Sequence, residues 1–145
     1  MVLDKQSETT APTADPELSP WSLDSINNVG MTLAETARRI PNQIAVAAPA
    51  KPGQKRPPIA YQTITFGELE EQSNKIANSI FSLGIPPGTR LSLMVPPSLD
   101  FVSLVFGLFK AGIVVILIDP GMGRKNMIKC LSAAEPEGIL SLIHI

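Results

Sequence analysis

An α/β fold built from βαβ units around a parallel sheet is expected from this 145-residue sequence. Hydrophobic residues make up 44% and charged residues 17%, enough apolar surface to bury a core. Short apolar runs, Leu91–Val95 and the β-branched Ile113–Ile118, alternate with longer segments whose apolar residues recur at helical spacing. Pro86-Pro87-Gly88, Pro96-Pro97 and Asp119-Pro120-Gly121 separate those segments as turns. Strands alternating with helices in this way imply right-handed crossovers between parallel neighbours.

Residues 1–29 are rich in Pro, Ser, Thr and Asp and lack helical or alternating periodicity, so a flexible leader is expected there. Trp21–Ile26 is its one short apolar segment, with the potential to dock elsewhere. Thr32 with Glu35 three residues later spells a capping box, which predicts a helix over Leu33–Ile40 that stops at Pro41. Ile44–Ala47 and Ala60–Thr65 read as two strands of a hairpin-like pair. The Pro- and Lys/Arg-rich loop Lys51–Pro58 lies between them.

Thr65 and Glu68 form a second capping box. Phe66, Leu69, Ile76, Ala77, Ile80 and Leu83 then share one helical face, and Gly84 supplies the stop. The strand Leu91–Val95 ends at Pro96-Pro97. Ser98 caps a helix to Lys110 that is apolar nearly all round and is therefore expected to be buried. Ile113–Ile118 forms the next strand, Asn126–Ala134 a further helix, and Gly138-Ile139-Leu140 opens a third strand.

Composition also excludes several classes. A net charge of -1 leaves no electrostatic footprint for nucleic acid. One Cys and one His cannot make a disulfide framework or a Cys/His zinc site, and the lone thiol fits a reducing, cytoplasmic setting. No basic segment followed by an apolar one marks a secretory signal at the N-terminus. Phe101–Ile118 approaches the length of a spanning helix, but Lys110 inside it would cost roughly 2.5–3.5 kcal/mol and Gly112 divides it. No membrane span is expected.

The residues that could carry chemistry are few. Gly121-Met122-Gly123-Arg124-Lys125-Asn126 combines glycines, two cations and a helix start, the ingredients of an anion site. Its spacing matches neither phosphate-binding fingerprint, so a tight connection with solvated charges is the favoured reading. Asp119 is expected to cap its turn, Cys130 to be a buried thiol beside Met127, Ile128 and Leu131, and Glu70-Glu71 to lie on a solvated helix face. Lys51, Lys55 and Arg56 are too sparse for a nucleic-acid or lipid partner.

An ordered set of motifs runs from Ile64-Thr65-Phe66-Gly67-Glu68-Leu69 through Pro87-Gly88-Thr89-Arg90 and Ser98-Leu99-Asp100-Phe101. It continues through Lys110-Ala111-Gly112-Ile113 to Ile118-Asp119-Pro120. That set resembles the N-terminal part of the AMP-binding, adenylate-forming superfamily. Leu117–Asn126 is similar to the subgroup of fatty-acid CoA ligases and β-lactone synthetases. The resemblance implies a partial N-terminal subdomain over 30–139, with its parallel sheet left incomplete. For the full-length parent it implies an acyl-activating ligase that uses ATP and Mg²⁺ to convert a fatty or β-hydroxy acid to an acyl-adenylate, which passes to coenzyme A or closes to a β-lactone.

The family's ATP-phosphate loop, ribose-binding aspartate and lid lysine fall downstream of this chain. No residue here is therefore assigned a catalytic, cofactor-binding or metal role, and the chain is expected to be inactive alone and open to self-association. A standalone α/β binding or interaction module is the alternative. Residues 140–145, Leu-Ser-Leu-Ile-His-Ile, resemble the in-frame translation of a transposase end sequence and are expected to be a non-native tail, which leaves His144 without functional meaning.

Overall fold

The computed structural model describes residues 28–50 and 59–141. The leader up to Asn27, the loop Lys51–Pro58 and residues 142–145 lie outside the described residues. The elements run α1 (Gly30–Arg39), β1 (Ile44–Pro49), β2 (Tyr61–Thr65), α2 (Phe66–Ser82), β3 (Arg90–Met94), α3 (Leu99–Lys110), β4 (Val114–Leu117), α4 (Arg124–Ala134) and β5 (Gly138–Ser141).

They build two sheets. β1 and β2 pair antiparallel, Ile44 opposite Thr65 and Pro49 opposite Tyr61, with an irregularity between Ile44 and Val46. β3, β4 and β5 form a parallel sheet in the order β4-β3-β5, with Leu91 opposite Val115 on one side and Gly138 on the other. The expected α/β class and parallel sheet are both present. Leu140 and Ser141, placed by sequence in the tail, pair with Leu93 and Met94.

Helices α2 and α3 lie between the two sheets. Leu91, Leu93 and Val95 pack with Ala77 and Ile80 of α2, with Leu108 of α3 and with Ala111 at its C-cap. Leu33, Ile64 and Leu69 form a second core, joined by Val102 and Phe106 from α3. Bonding between elements fixes where the apolar run after Phe101 divides. Ala111 and Gly112 close α3, Gly112 turns at φ +73, and its carbonyl accepts from the Gly88 N–H at 2.8 Å. A Cβ there would meet Pro87 at 2.9 Å, so glycine suits the crossing on both counts. Among the described residues no helix is long and apolar enough to cross a membrane.

Several expectations are corrected. Thr32 does not cap α1: the helix starts at Gly30, and the Thr32 hydroxyl donates to the Val29 carbonyl while Glu35 pairs with Arg38. Asn28 takes over the start, its Oδ1 accepting from the Gly30 N–H at 2.8 Å. α4 begins two residues before Asn126 and buries none of its residues, so Cys130 is exposed rather than packed. α3 is only partly covered: Ser103, Gly107 and Leu108 are buried and the rest of its apolar surface is half-buried.

The Thr65 capping box forms as expected. Glu68 N–H donates to Thr65 Oγ1 at 3.3 Å, and the Thr65 N–H and hydroxyl both donate to Glu68 Oε2 at 2.9 Å. Those bonds, the backbone one first, hold the Glu68 carboxyl below its ordinary value. Thr65→Ala is expected to cost about 1 kcal/mol in urea denaturation. For Glu68 the folded-state value lies below the unfolded one. Its contribution is therefore present above the ordinary carboxylate range and is lost as pH falls through the folded value. The stability deficit of Glu68→Gln should accordingly be present at neutral pH and vanish in acid.

Candidate site at the carboxyl end of the parallel sheet

β3 feeds α3 and then β4 on one side of it. β4 feeds α4 and then β5 on the other side. The right-handed crossover rule sends two such connections to opposite faces, which puts the topological switch point between β3 and β5, beside the carboxyl end of β4. Ligands of open α/β sheets bind in the crevice outside the carboxyl ends of the strands.

A cavity of about 270 Å³ opens there, lined by Leu93, Val95, Pro97, Phe101, Leu117, Ile118 and Asp119. Each wall has a local cause. Pro96 and Pro97 lack the N–H that a continued strand would need, so β3 ends and the chain turns. Ser98 then caps α3, accepting from the Phe101 N–H at 3.1 Å, which fixes Phe101 over the strand ends. On the other wall Asp119 Oδ1 accepts from the Gly121 N–H at 2.7 Å, closing the turn Pro120–Met122.

Asp119 thus caps its turn as expected, and its carboxylate is engaged by that bond at the mouth of the cavity. Gly123 adopts φ +82, which starts α4 in a direction that an L side chain disfavours. Arg124 and Lys125 point to solvent, and neither meets a partner among the described residues. The Gly121–Asn126 stretch forms a tight connection between β4 and α4. Asn126 Nδ2 donates to the Met122 carbonyl at 3.1 Å, and the Met127 N–H donates to the Gly123 carbonyl at 3.0 Å. Among the described residues no three His, Cys, Asp or Glu side chains come together to hold a metal.

The charged cluster that spacing missed lies on the other side of α2. Glu70 was read as solvated, but its Oε2 accepts from Lys110 Nζ at 2.5 Å. Lys110 also donates to Ser73 Oγ and Asn74 Oδ1, both at 2.8 Å, and the two ionised side chains are 11% and 22% exposed. Only Glu71 behaves as expected, an exposed carboxylate pairing with Lys75 one turn on. The signal for the Glu70 pair was Lys110 itself, a single cation at the end of an apolar helix, which needs a counter-charge wherever it is covered. Lys51, Lys55 and Arg56 lie outside the described residues.

The comparisons with known proteins bear on the whole arrangement. An olefin beta-lactone synthetase of Stenotrophomonas maltophilia is 37% identical over 116 residues, 79% of this chain and 21% of that protein. An olefin beta-lactone synthetase of Xanthomonas campestris is 34% identical over 120 residues, 83% of this chain and 22% of that protein. The chain thus spans about a fifth of the length of these curated relatives. Among solved structures, the Mycobacterium tuberculosis fatty acyl CoA synthetase superposes with a TM-score of 0.62 at 24% identity, over 77% of this chain and 20% of that one. The Klebsiella oxytoca NpsA N-terminal subdomain gives 0.67 at 20%, over 81% of this chain and 28% of that one. These structures share the fold. The family model for the AMP-binding enzyme matches residues 33–143, so the chain belongs to the AMP-binding enzyme family.

Proposed function

We propose that this chain is the N-terminal portion of an ATP-dependent acyl-activating ligase whose substrate is a fatty or β-hydroxy acid. The observation that carries the reading is the identity of 34–37% with two olefin beta-lactone synthetases across 79–83% of the chain. The Leu117–Asn126 connection at the sheet's carboxyl end supports the same subgroup. In the proposed reaction a carboxylate oxygen attacks the α-phosphorus of ATP, forming the acyl-adenylate and releasing pyrophosphate. The acyl carbon is then taken either by the thiol of coenzyme A or by the substrate's own β-hydroxyl oxygen, and AMP leaves.

The role proposed for this portion is to supply a rigid wall: β3, β4 and the helices beneath them hold the cavity at the carboxyl ends of β3 and β4, against which the rest of the enzyme completes the site. A cytoplasmic location belongs to the same proposal, motivated by the lone Cys130.

Carboxylate-dependent pyrophosphate exchange tests it. The chain joined to the remainder of its reading frame should exchange label with a β-hydroxy fatty acid, and the 145-residue chain alone should not exceed a heat-killed control. Turnover by the short chain would sink the partial-enzyme reading. A native stop codon directly after Ile139, with a stably folded product, would favour a standalone module.

A further inference from the structure

We propose that the free edge of β4 binds a second copy of this chain, the two β4 strands pairing antiparallel about a two-fold axis at Ile116. β4 is an end strand of the parallel sheet, bonded to β3 on one side and to no strand on the other among the described residues. The Val114 and Ile118 N–H groups donate to the Thr89 and Leu93 carbonyls at 3.0 and 3.3 Å. Backbone groups alternate sides along a strand, so those of Val115 and Leu117 point away from β3. A row of such unpaired groups is a template for another strand.

Sheet edges are normally blunted by charged side chains, proline or a bulge. β4 carries none of them. From Ala111 to Ile118 the chain has no charged residue and no proline, and the register with β3 runs unbroken from Val114 to Leu117. In their place Val114 and Leu117 stand 49% and 58% exposed. The opposite edge differs: β5 starts directly after Glu135, Pro136 and Glu137, and both carboxylate residues are exposed there.

The spacing of the free groups chooses the occupant. Val115 and Leu117 flank Ile116 symmetrically, so a two-fold axis at Ile116 sets Val115 opposite the partner's Leu117 and Leu117 opposite the partner's Val115. Each of these pairs exchanges both of its main-chain bonds, and the assembly closes at two copies. A foreign strand would have to match this spacing, whereas a second copy matches it by symmetry. The same rotation lays the exposed Leu117 side chain against the partner's Val115, on the face that Val115 already turns toward the core. With no charge between Ala111 and Ile118, no like charges are brought together.

The paired segment is short, so the dimer should dissociate on dilution. Sedimentation of the full chain should show a monomer at low concentration and a growing dimer fraction up to about 1 mM. Leu117→Lys and Val114→Lys, each at an exposed position, should lose the dimer across that range with the far-ultraviolet circular dichroism unchanged. Ile139→Lys, exposed on β5, should keep it. Ile116 would lie opposite its own copy in a pair whose Cα atoms are about 4.5 Å apart, within the span of about 4.4–6.8 Å that a disulfide bridges. Ile116→Cys, with the exposed native thiol removed by Cys130→Ser, should therefore form a covalent dimer on mild oxidation, and Ile139→Cys in the same background should not. A parent chain that stays monomeric over the whole range would overturn the proposal, as would a dimer that survives the β4 lysines or is lost in Ile139→Lys. Assembly beyond two copies, or a dimer in which Ile116→Cys forms no bridge, would overturn the two-fold pairing.

Discussion

Gly107→Val is expected to abolish cooperative folding, because α2 and α3 approach one another at a point where no side chain fits. A Cβ built on Gly107 would sit 2.5 Å from Ile76 Cγ2, 2.6 Å from Ile76 Cβ and 3.0 Å from the Ser73 carbonyl oxygen. Two of those atoms cannot swing away: the carbonyl is backbone and the Ile76 Cβ is fixed by its helix. Even alanine must therefore push the helices apart, and they share the core around Leu108, Ala77 and Ile80. Overpacking a well-filled site costs about 1–3 kcal/mol for modest additions. Gly107→Ala should fall at or above the top of that range, and valine, with two further methyl groups in the same gap, beyond it. Urea denaturation followed by circular dichroism measures this. A Gly107→Ala midpoint equal to the parent's would disprove the close approach, and Ile76→Ala should recover part of the alanine variant's loss.

Glu70→Ala is expected to cost about 2–4 kcal/mol, slightly less than the 3–5 kcal/mol typical when one partner of a buried pair is removed. The alanine leaves the Lys110 ammonium covered, with Ser73 and Asn74 still accepting from it, which moderates the loss. Glu70→Met combined with Lys110→Met removes both charges and keeps most of the volume. That double variant should return to within about 1 kcal/mol of the parent, since an apolar replacement of a covered ion pair is often neutral. If the double variant is as unstable as Glu70→Ala, the pair contributes through specific geometry and the desolvation account fails.

These two positions also show what a linear reading can and cannot reach. The order of strands and helices was legible because short apolar runs and 3.6-residue periodicity are local properties of Leu91–Val95, Ile113–Ile118 and Phe66–Leu83. The Thr65 box was legible for the same reason, both partners lying within one turn. Thr32 and Glu35 carry the same letters at the same spacing, yet Asn28 displaces them, anchored by a bond to Phe109, 81 residues away. Glu70 looked solvated because its partner is 40 residues distant.

Cys130 looked buried because its helix has apolar neighbours, but α4 has nothing packed over that face among the described residues. The cavity at the carboxyl ends of β3 and β4 was half legible. Its walls were marked by Pro96-Pro97 and Asp119-Pro120, but their adjacency depends on strand order, which periodicity does not encode.

The central place of β3 has a consequence for the chain as it is synthesised. β4 can pair with β3 once Leu117 has emerged, but the other edge of β3 waits for β5. The 24 residues from Ile118 to Ser141 must be added first, which at about 5–20 residues per second takes roughly 1–5 s. Hairpins form in microseconds, so that interval is long. Throughout it the backbone donors and acceptors of Arg90–Met94 on that side have no native partner, and Leu91 and Leu93 are covered only by what α2 and α3 already provide. Slow codons or a ribosomal pause between Ile118 and Gly138 would lengthen that window, and the nascent chain would stay open to wrong pairing along that edge until β5 exists.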